Sequence, residues 1–264
     1  MVGAVEQGIK MTESLDLSAP TEDCHKLKQD PFDNYFPDIP SAGFPRLKTL
    51  RSTAAKDPAA EMFLEMASTH LPIEFKGREI ELEAHAFEDE TISYQAMALV
   101  HRGHGKVDHT STAIPLVRVH SGCVTGDIFH SLRCDCYAQL QLSLEQIINS
   151  DLGIIVYLPH HEGRGIGLVK KIKAYAAQNR GLDTVDANLA IGAPIDARDY
   201  ELPAKILKHL GYQSIRLMSN NPAKLSALAQ HGIKIVEQVK TMTDPSQHNE
   251  RYLATKRDRM DHML

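Results

Sequence analysis

Residues 118–145 read RVHSGCVTGDIFHSLRCDCYAQLQLSLE, and this stretch decides the fold. It opens inside an apolar run, Ile114 to His120, with the texture of a strand, and closes on a helix-like run, Gln139 to Ile148. Gly122, Gly126 and Asp127 mark the turn-rich loop between them. On that loop stand Cys123, Cys134 and Cys136, three of the four cysteines in the chain. Three thiolates on one loop suit Zn²⁺, which takes four ligands and favours sulfur and imidazole. An open fourth position would make the site catalytic, lowering the pKa of a bound water. Two other readings stand beside this one. His120 or His130 would close a structural site, and buried thiols without metal are also common. Cys24 lies far upstream in a different kind of sequence.

Moving upstream, Glu79 to Phe87 (EIELEAHAF) alternates apolar and charged residues, the period of a half-buried strand. YQAMALVHR (94–102) and AIPLVRVHS (113–121) also read as strands, joined by a polar loop, GHGKVDHTST. A run of consecutive strands predicts an antiparallel sheet. Downstream the pattern alternates. GIIVYL (153–158) is a buried strand, HHEGRGIG a glycine-rich turn, and LVKKIKAYAAQNRG a helix ending at Gly181. DYELPAKILKHL (199–210) is a second helix with Pro203 in its first turn. SIRLMS is a strand, and NPAKLSALAQHG a helix capped by Asn221, with Pro222 first and Gly232 just past its end. KIVEQV is the last strand. The expected fold is α+β: a mixed sheet, antiparallel in its N-terminal part and α/β-alternating in its C-terminal part, with the cysteine loop between. One domain over residues 70–264 is expected, behind an extension, residues 1–69. That extension reads as a partly ordered tail with no function assigned to it, able to drape over the domain through Phe32, Tyr35, Phe36 and Phe44, and its Ala59, Met62, Phe63 and Met66 would share one face of a short helix, 57–68.

Of the 264 residues, 42% are apolar and 24% charged, as in soluble globular proteins. The net charge of -5 speaks against a general nucleic-acid binder. No apolar run is long enough to cross a membrane, and the first residues have no signal-peptide core. Few, clustered cysteines fit metal ligation in a reducing compartment, so a cytoplasmic location is expected.

Three further stretches carry possible chemistry. HHEGRGIGL (160–168) follows a strand and opens a helix, offering backbone N–H groups and Arg164 to an anion; a plain tight turn explains it as well. IDARDY (195–200) sets Asp196 beside Arg198, either an acid/base carboxylate with a phosphate-binding arginine or ordinary acidic residues ahead of a helix. SNNPAK (219–224) offers Ser219, a helix N-terminus and Lys224 to a phosphate, and also satisfies simple capping. Tyr175 lies on the helix after the glycine turn. The tail NERYLATKRDRMDHML reads as a charged helix, solvated or at an interface.

Together RVHS and TGD around Cys123, SLRCDC, EGRGIGL, KIKAYA, DTVDAN, DARDY, LMSNNPAK and the NERYL tail resemble GTP cyclohydrolase II, the enzyme that opens GTP at the entrance to riboflavin synthesis. The resemblance implies that Cys123, Cys134 and Cys136 bind a catalytic zinc whose water attacks C8 of guanine, with formate released in a second hydrolysis. It implies Arg198 as nucleophile on the α-phosphorus, expelling pyrophosphate, Asp196 as proton acceptor, and Tyr175 as a residue orienting water. Nucleotide-binding positions fall on Arg118, Val119, His120, Ser121, Gln139, Glu162, Gly163, Arg164, Thr184, Ser219 and Lys224. Mg²⁺ on the triphosphate and a homodimer are also implied. The chain departs from the family in four places. Gly122 stands where a glutamate precedes the first cysteine, and Leu158 to His161 replace a segment ending His-Arg-Gln. Ser219 replaces threonine, and Tyr137 a frequent glycine. Changes at Gly122 and His161 alter donors and acceptors beside the nucleotide, which is where specificity is set. They raise the alternatives of another purine nucleotide, a reaction stopping at the formamide, or a non-catalytic nucleotide-binding protein.

Overall fold

The computed structural model describes residues 63–89, 94–103, 113–243, 247, 249–260 and 263. The expected drape of Phe32, Tyr35, Phe36 and Phe44 and most of the polar loop after His101 lie outside the described residues.

Seven strands form one sheet in the order β1-β2-β3-β5-β4-β6-β7. β1 (Phe63–Phe75) and β2 (Arg78–Asp89) make a hairpin across Lys76 and Gly77. Both turn residues have positive φ, 52° and 75°, matching the right-handed twist of the strands. The helix expected over 57–68 is corrected here, because Phe63 to Ser68 belong to β1. The spacing of Phe63 and Met66 suits a helix face, but pairing with β2 along the whole of β1 overrides it. Pro72 sits in β1, an edge strand, where the ladder loses nothing by its missing N–H. Residue 70, the expected domain start, falls inside this strand.

β3 (Tyr94–His101) pairs antiparallel with β2 on one side and β5 (Gly153–Leu158) on the other. β4 (Leu116–Ser121) therefore does not extend the antiparallel run, as consecutive strands had predicted. It lies parallel between β5 and β6 (Ser214–Met218), and β7 (Lys234–Val239) closes the parallel half. The reason is in the residues. β5 is apolar and β4, despite Arg118 and His120, is buried on both faces, and such strands need cover on both sides. On one face Ile154, Val156 and Leu158 join Val117, Val119 and Leu217 in a core with α4 (Glu201–His209) and Leu228 of α5 (Pro222–Gln230). On the other, Ile155, Leu116 and Met218 pack with Ile147 of α1 (Cys136–Ile148).

α2 (Gly167–Gln178), α3 (Thr184–Ala190) and α6 (Glu250–Met260) complete the elements used below. α5 starts as read: the Asn221 side chain accepts from the Ala223 N–H, and Pro222 holds the first turn. No helix among the described residues is long and apolar enough to cross a membrane. The parallel strands β5, β4 and β6 all end at one edge of the sheet, where open α/β sheets bind ligands.

Candidate active site

At that edge lies a cleft walled by the segments that follow β4, β5 and β6 and by α2 and α6. The segment after β4 is built around Asp127. Its carboxylate accepts the Cys123 N–H (2.9 Å) and the Tyr157 hydroxyl (3.2 Å), and meets His120 Nε2 (3.1 Å). Glu162 secures the same loop from the other side, accepting the Val124 N–H at 2.6 Å. A short π-helical turn, Val124–Ile128, results, which periodicity does not announce. It brings Cys123 against Cys134 and Cys136 at the head of α1, with all three Sγ atoms within 4.8 Å of one another.

These sulfurs fit a metal. Cys123 and Cys134 Sγ are 3.8 Å apart, and tetrahedral Zn–S bonds of about 2.3 Å would space sulfurs by roughly that distance. A Cβ added at Gly126 would lie 3.0 Å from both Sγ atoms, so the backbone seats directly on the cluster. Neither histidine that could close the shell joins it: His120 is held by Asp127, and His130 stacks on Tyr137 with centroids 3.8 Å apart. Lys171 Nζ lies 2.9 Å from Cys123 Sγ and 2.6 Å from Glu162 Oε1. Hydrogen bonds from the other two thiols and Lys171 hold Cys123 far below the usual thiol range. Its neighbour Cys134 is pushed up to about 11 by Cys123, with burial adding to the shift.

The far side of the cleft is cationic. Arg118 donates to the Met218 carbonyl (3.1 Å) and to Gln139 Oε1 (2.5 Å). Buried Lys224 donates to the Val119 carbonyl at 2.7 Å. Burial, then the charges of Arg118 and Arg198, depress its pKa well below the ordinary lysine value. Arg198 Nε donates to Asp196 at 2.8 Å and Nη1 to Ser121 Oγ at 3.4 Å. Burial opposes its charge, but the Asp196 carboxylate more than offsets this and raises the guanidinium's pKa. Arg164 stands at φ +64°, unusual for a residue with a side chain, and its buried Nη1 and Nη2 have no hydrogen-bond partner among the described residues. Its guanidinium lies 5.6 Å from the centroid of the Tyr252 ring.

Of the residues singled out in the sequence, Arg118, His120, Ser121, Gln139, Gly163, Arg164, Tyr175, Thr184, Arg198, Ser219, Lys224 and the three cysteines line this one cleft. Three do not. Val119 is buried in the core, Glu162 spends both carboxylate oxygens on the loop and Lys171, and Asp196 stands behind Arg198. Sequence reading missed Lys171, Asn220, Tyr252 and Lys256. Lys171 was detectable as a lysine on the buried face of α2, beside Ala174. The tail helix, read as solvated or interfacial, is instead a wall of the cleft. Lys256 is buried and donates to Asp135 Oδ1, between the two cysteines, at 2.7 Å.

Three thiols that could hold a metal, facing buried arginine and lysine side chains across one cleft, define a class of protein equipped to bring an anion to a metal-competent centre. Residues 65–240 match the family GTP cyclohydrolase II, and the chain belongs to that family of hydrolases. It is 52% identical over 170 residues to "GTP cyclohydrolase-2" of Streptomyces coelicolor, covering 64% of this chain and 74% of that protein. It is 44% identical over 200 residues to "Riboflavin biosynthesis protein RibBA" of Aquifex aeolicus, covering 76% of this chain and 47% of the relative. For the RibBA of Endomicrobium trichonymphae the figures are 52% over 149 residues, 56% and 37%. The chain thus spans less than half the length of these RibBA relatives.

Proposed function

We propose that this chain opens the imidazole ring of GTP, releasing formate and pyrophosphate to give 2,5-diamino-6-(5-phosphoribosylamino)pyrimidin-4(3H)-one, the first step of riboflavin synthesis. The observation that carries the reading is the sulfur triangle of Cys123, Cys134 and Cys136 lining the same cleft as Arg118, Arg198 and Lys224. The three sulfurs would hold one Zn²⁺. Zinc, when bound, supplies Lewis acidity and lowers the pKa of a water to near neutrality.

The chain's own residues have separable tasks. Arg118, Arg164, Lys224 and Lys256 draw the triphosphate in, and Mg²⁺ accompanies it as hard oxygen ligands require. Arg198, held charged beside Asp196, meets the α-phosphate. As nucleophile it forms a P–N bond while the bridging P–O bond to pyrophosphate breaks, and its proton passes to Asp196; water then cleaves the P–N bond, leaving the monophosphate and returning the proton to Arg198. Tyr175, pushed up to about 12 chiefly by burial, keeps its proton at neutral pH and donates a hydrogen bond. Glu162 and Val119 act by positioning, through Lys171 and Lys224 respectively. A homodimer is supported by exposed Ile128, Phe129 and Leu132 on the cysteine loop and Leu168, Val169 and Ile172 on α2.

Mass spectrometry of the products of zinc-loaded protein with GTP and Mg²⁺, with formate and pyrophosphate assayed in parallel, tests the reading. The diaminopyrimidine with both co-products is the expected result. Cys134→Ala should abolish zinc binding and formate release while pyrophosphate release survives. Full formate production by that variant would refute the zinc assignment. A second reading, a product retaining the formyl group or another purine substrate, is favoured by one observation: Gly122 and His161 both line the cleft.

A further inference from the structure

His161 lines the cleft yet is 1% exposed. It belongs to a 3₁₀ turn, Pro159–His161, directly after β5. That turn comes close because residue 122 is glycine. A Cβ there would lie 3.0 Å from both the Leu158 carbonyl oxygen and Pro159 Cα, and the Gly122 N–H donates to that same carbonyl at 2.9 Å. The ring is then held on two sides, edge-on to Tyr200 (centroids 5.4 Å) and to His160 (4.5 Å). Its Nδ1 lies 3.2 Å from Ser121 Oγ. Its Nε2 is buried and has no hydrogen-bond partner among the described residues, although the Asp199 backbone also interacts with the ring. A buried nitrogen left unmade in this way costs free energy until something meets it.

Hydrogen bonding around Ser121 bears on what that nitrogen offers. Arg198 Nη1 can only donate, so Ser121 Oγ accepts from it and its single proton is free to go to His161 Nδ1. In that arrangement the imidazole accepts at Nδ1 and carries its proton at Nε2. The neighbours fix what it should meet. Arg198 and Lys224 both lie over the same Tyr200 ring that His161 packs against, 6.0 and 5.7 Å from its centroid. An N–H donor beside two cations suits an anionic acceptor. We propose that His161 is a substrate-contacting, specificity-setting residue whose Nε2–H donates to a phosphate oxygen of the nucleotide, a contact added to the phosphate site by the Gly122–Pro159 turn. The proposal rests on the nucleotide-cleft reading above.

The test uses the full zinc-loaded chain. Inorganic triphosphate and GTP are titrated calorimetrically into the wild type, His161→Ala and His161→Gln, with zinc content and melting temperature measured on each. Loss of a hydrogen bond to a charged acceptor should weaken both ligands about tenfold or more in His161→Ala. His161→Gln, which restores an N–H donor, should recover most of it, and KM for GTP should move more than kcat. Unchanged triphosphate affinity in His161→Ala, with loss confined to GTP, would overturn the proposal. In ¹⁵N-histidine-labelled wild type, the His161 Nε2–H resonance should shift when triphosphate is added. A proton found on Nδ1, or no shift, would overturn it without any variant. If the wild type binds triphosphate but releases no formate from GTP, the ring-opening reading fails while this contact stands.

Discussion

Gly126 has no side chain because two sulfurs occupy the place one would take. With an added Cβ 3.0 Å from Cys123 and Cys134 Sγ, Gly126→Ala must spread the cluster. Zinc measured by atomic emission should fall well below one per chain, while the bulk fold, seen by circular dichroism, is retained. His161 makes a second expectation at this scale. Burial, reinforced by His160, Arg198 and Lys224, depresses its pKa from the ordinary 6.5 to about 2. Between those values the unfolded chain binds a proton that the folded chain refuses, so stability rises with pH across the window and is lost as pH falls below about 6.5. The slope is at most about 1.4 kcal/mol per pH unit. Urea midpoints at pH 7 and pH 5.5 should therefore separate further for the wild type than for His161→Gln.

Elements are held to the site by a few buried polar contacts. One joins α6 to the cysteine loop: Lys256, buried, donates to Asp135, 2% exposed, at 2.7 Å. Removing one partner strands the other, so Lys256→Met should cost about 3–5 kcal/mol in urea unfolding, and Asp135→Asn in the same chain should recover part of it. This contact also shows where sequence reading runs out. The alternation of Glu79 to Phe87, the apolar GIIVYL and the Asn221-Pro222 start of α5 were legible, because local period and capping decide them. Three things were not legible. Phe63 to Ser68 mimic a helix face, and only the partner strand settles them. The place of β4 depends on which strands flank it, a long-range choice. Lys256 and Tyr252 sit in a charged helix whose buried side is defined by a cleft residues away in sequence. The cysteines, Arg198 and Lys224 were legible as residues; that they share one cleft was not derivable from spacing.

For the whole molecule the consequence is electrostatic. The net charge is -5, yet Arg118, Lys171, Lys224 and Lys256 are each buried around one cleft. Lys171 and Lys256 have carboxylate partners, whereas Lys224 donates to a carbonyl and lies over the Tyr200 ring, and its pKa is depressed first by burial and then by repulsion from Arg118 and Arg198. A polyanion relieves it. Inorganic triphosphate at about a hundred times its dissociation constant should raise the melting temperature by on the order of 5 °C. The gain should shrink as salt rises from about 0.1 M to about 1 M, since screening weakens attraction between charges that remain open to solvent.

One contact has a practical side. The Met263 N–H donates to the carbonyl of Asn220, a residue that lines the cleft, at 3.0 Å. Anything attached to the chain just beyond Met263 would begin beside that anchor, close to the rim of the cleft. Handling decides the assay here: a hexahistidine tail so placed would also offer imidazoles to any zinc in the preparation, so a cleavable or distant tag is the sounder choice.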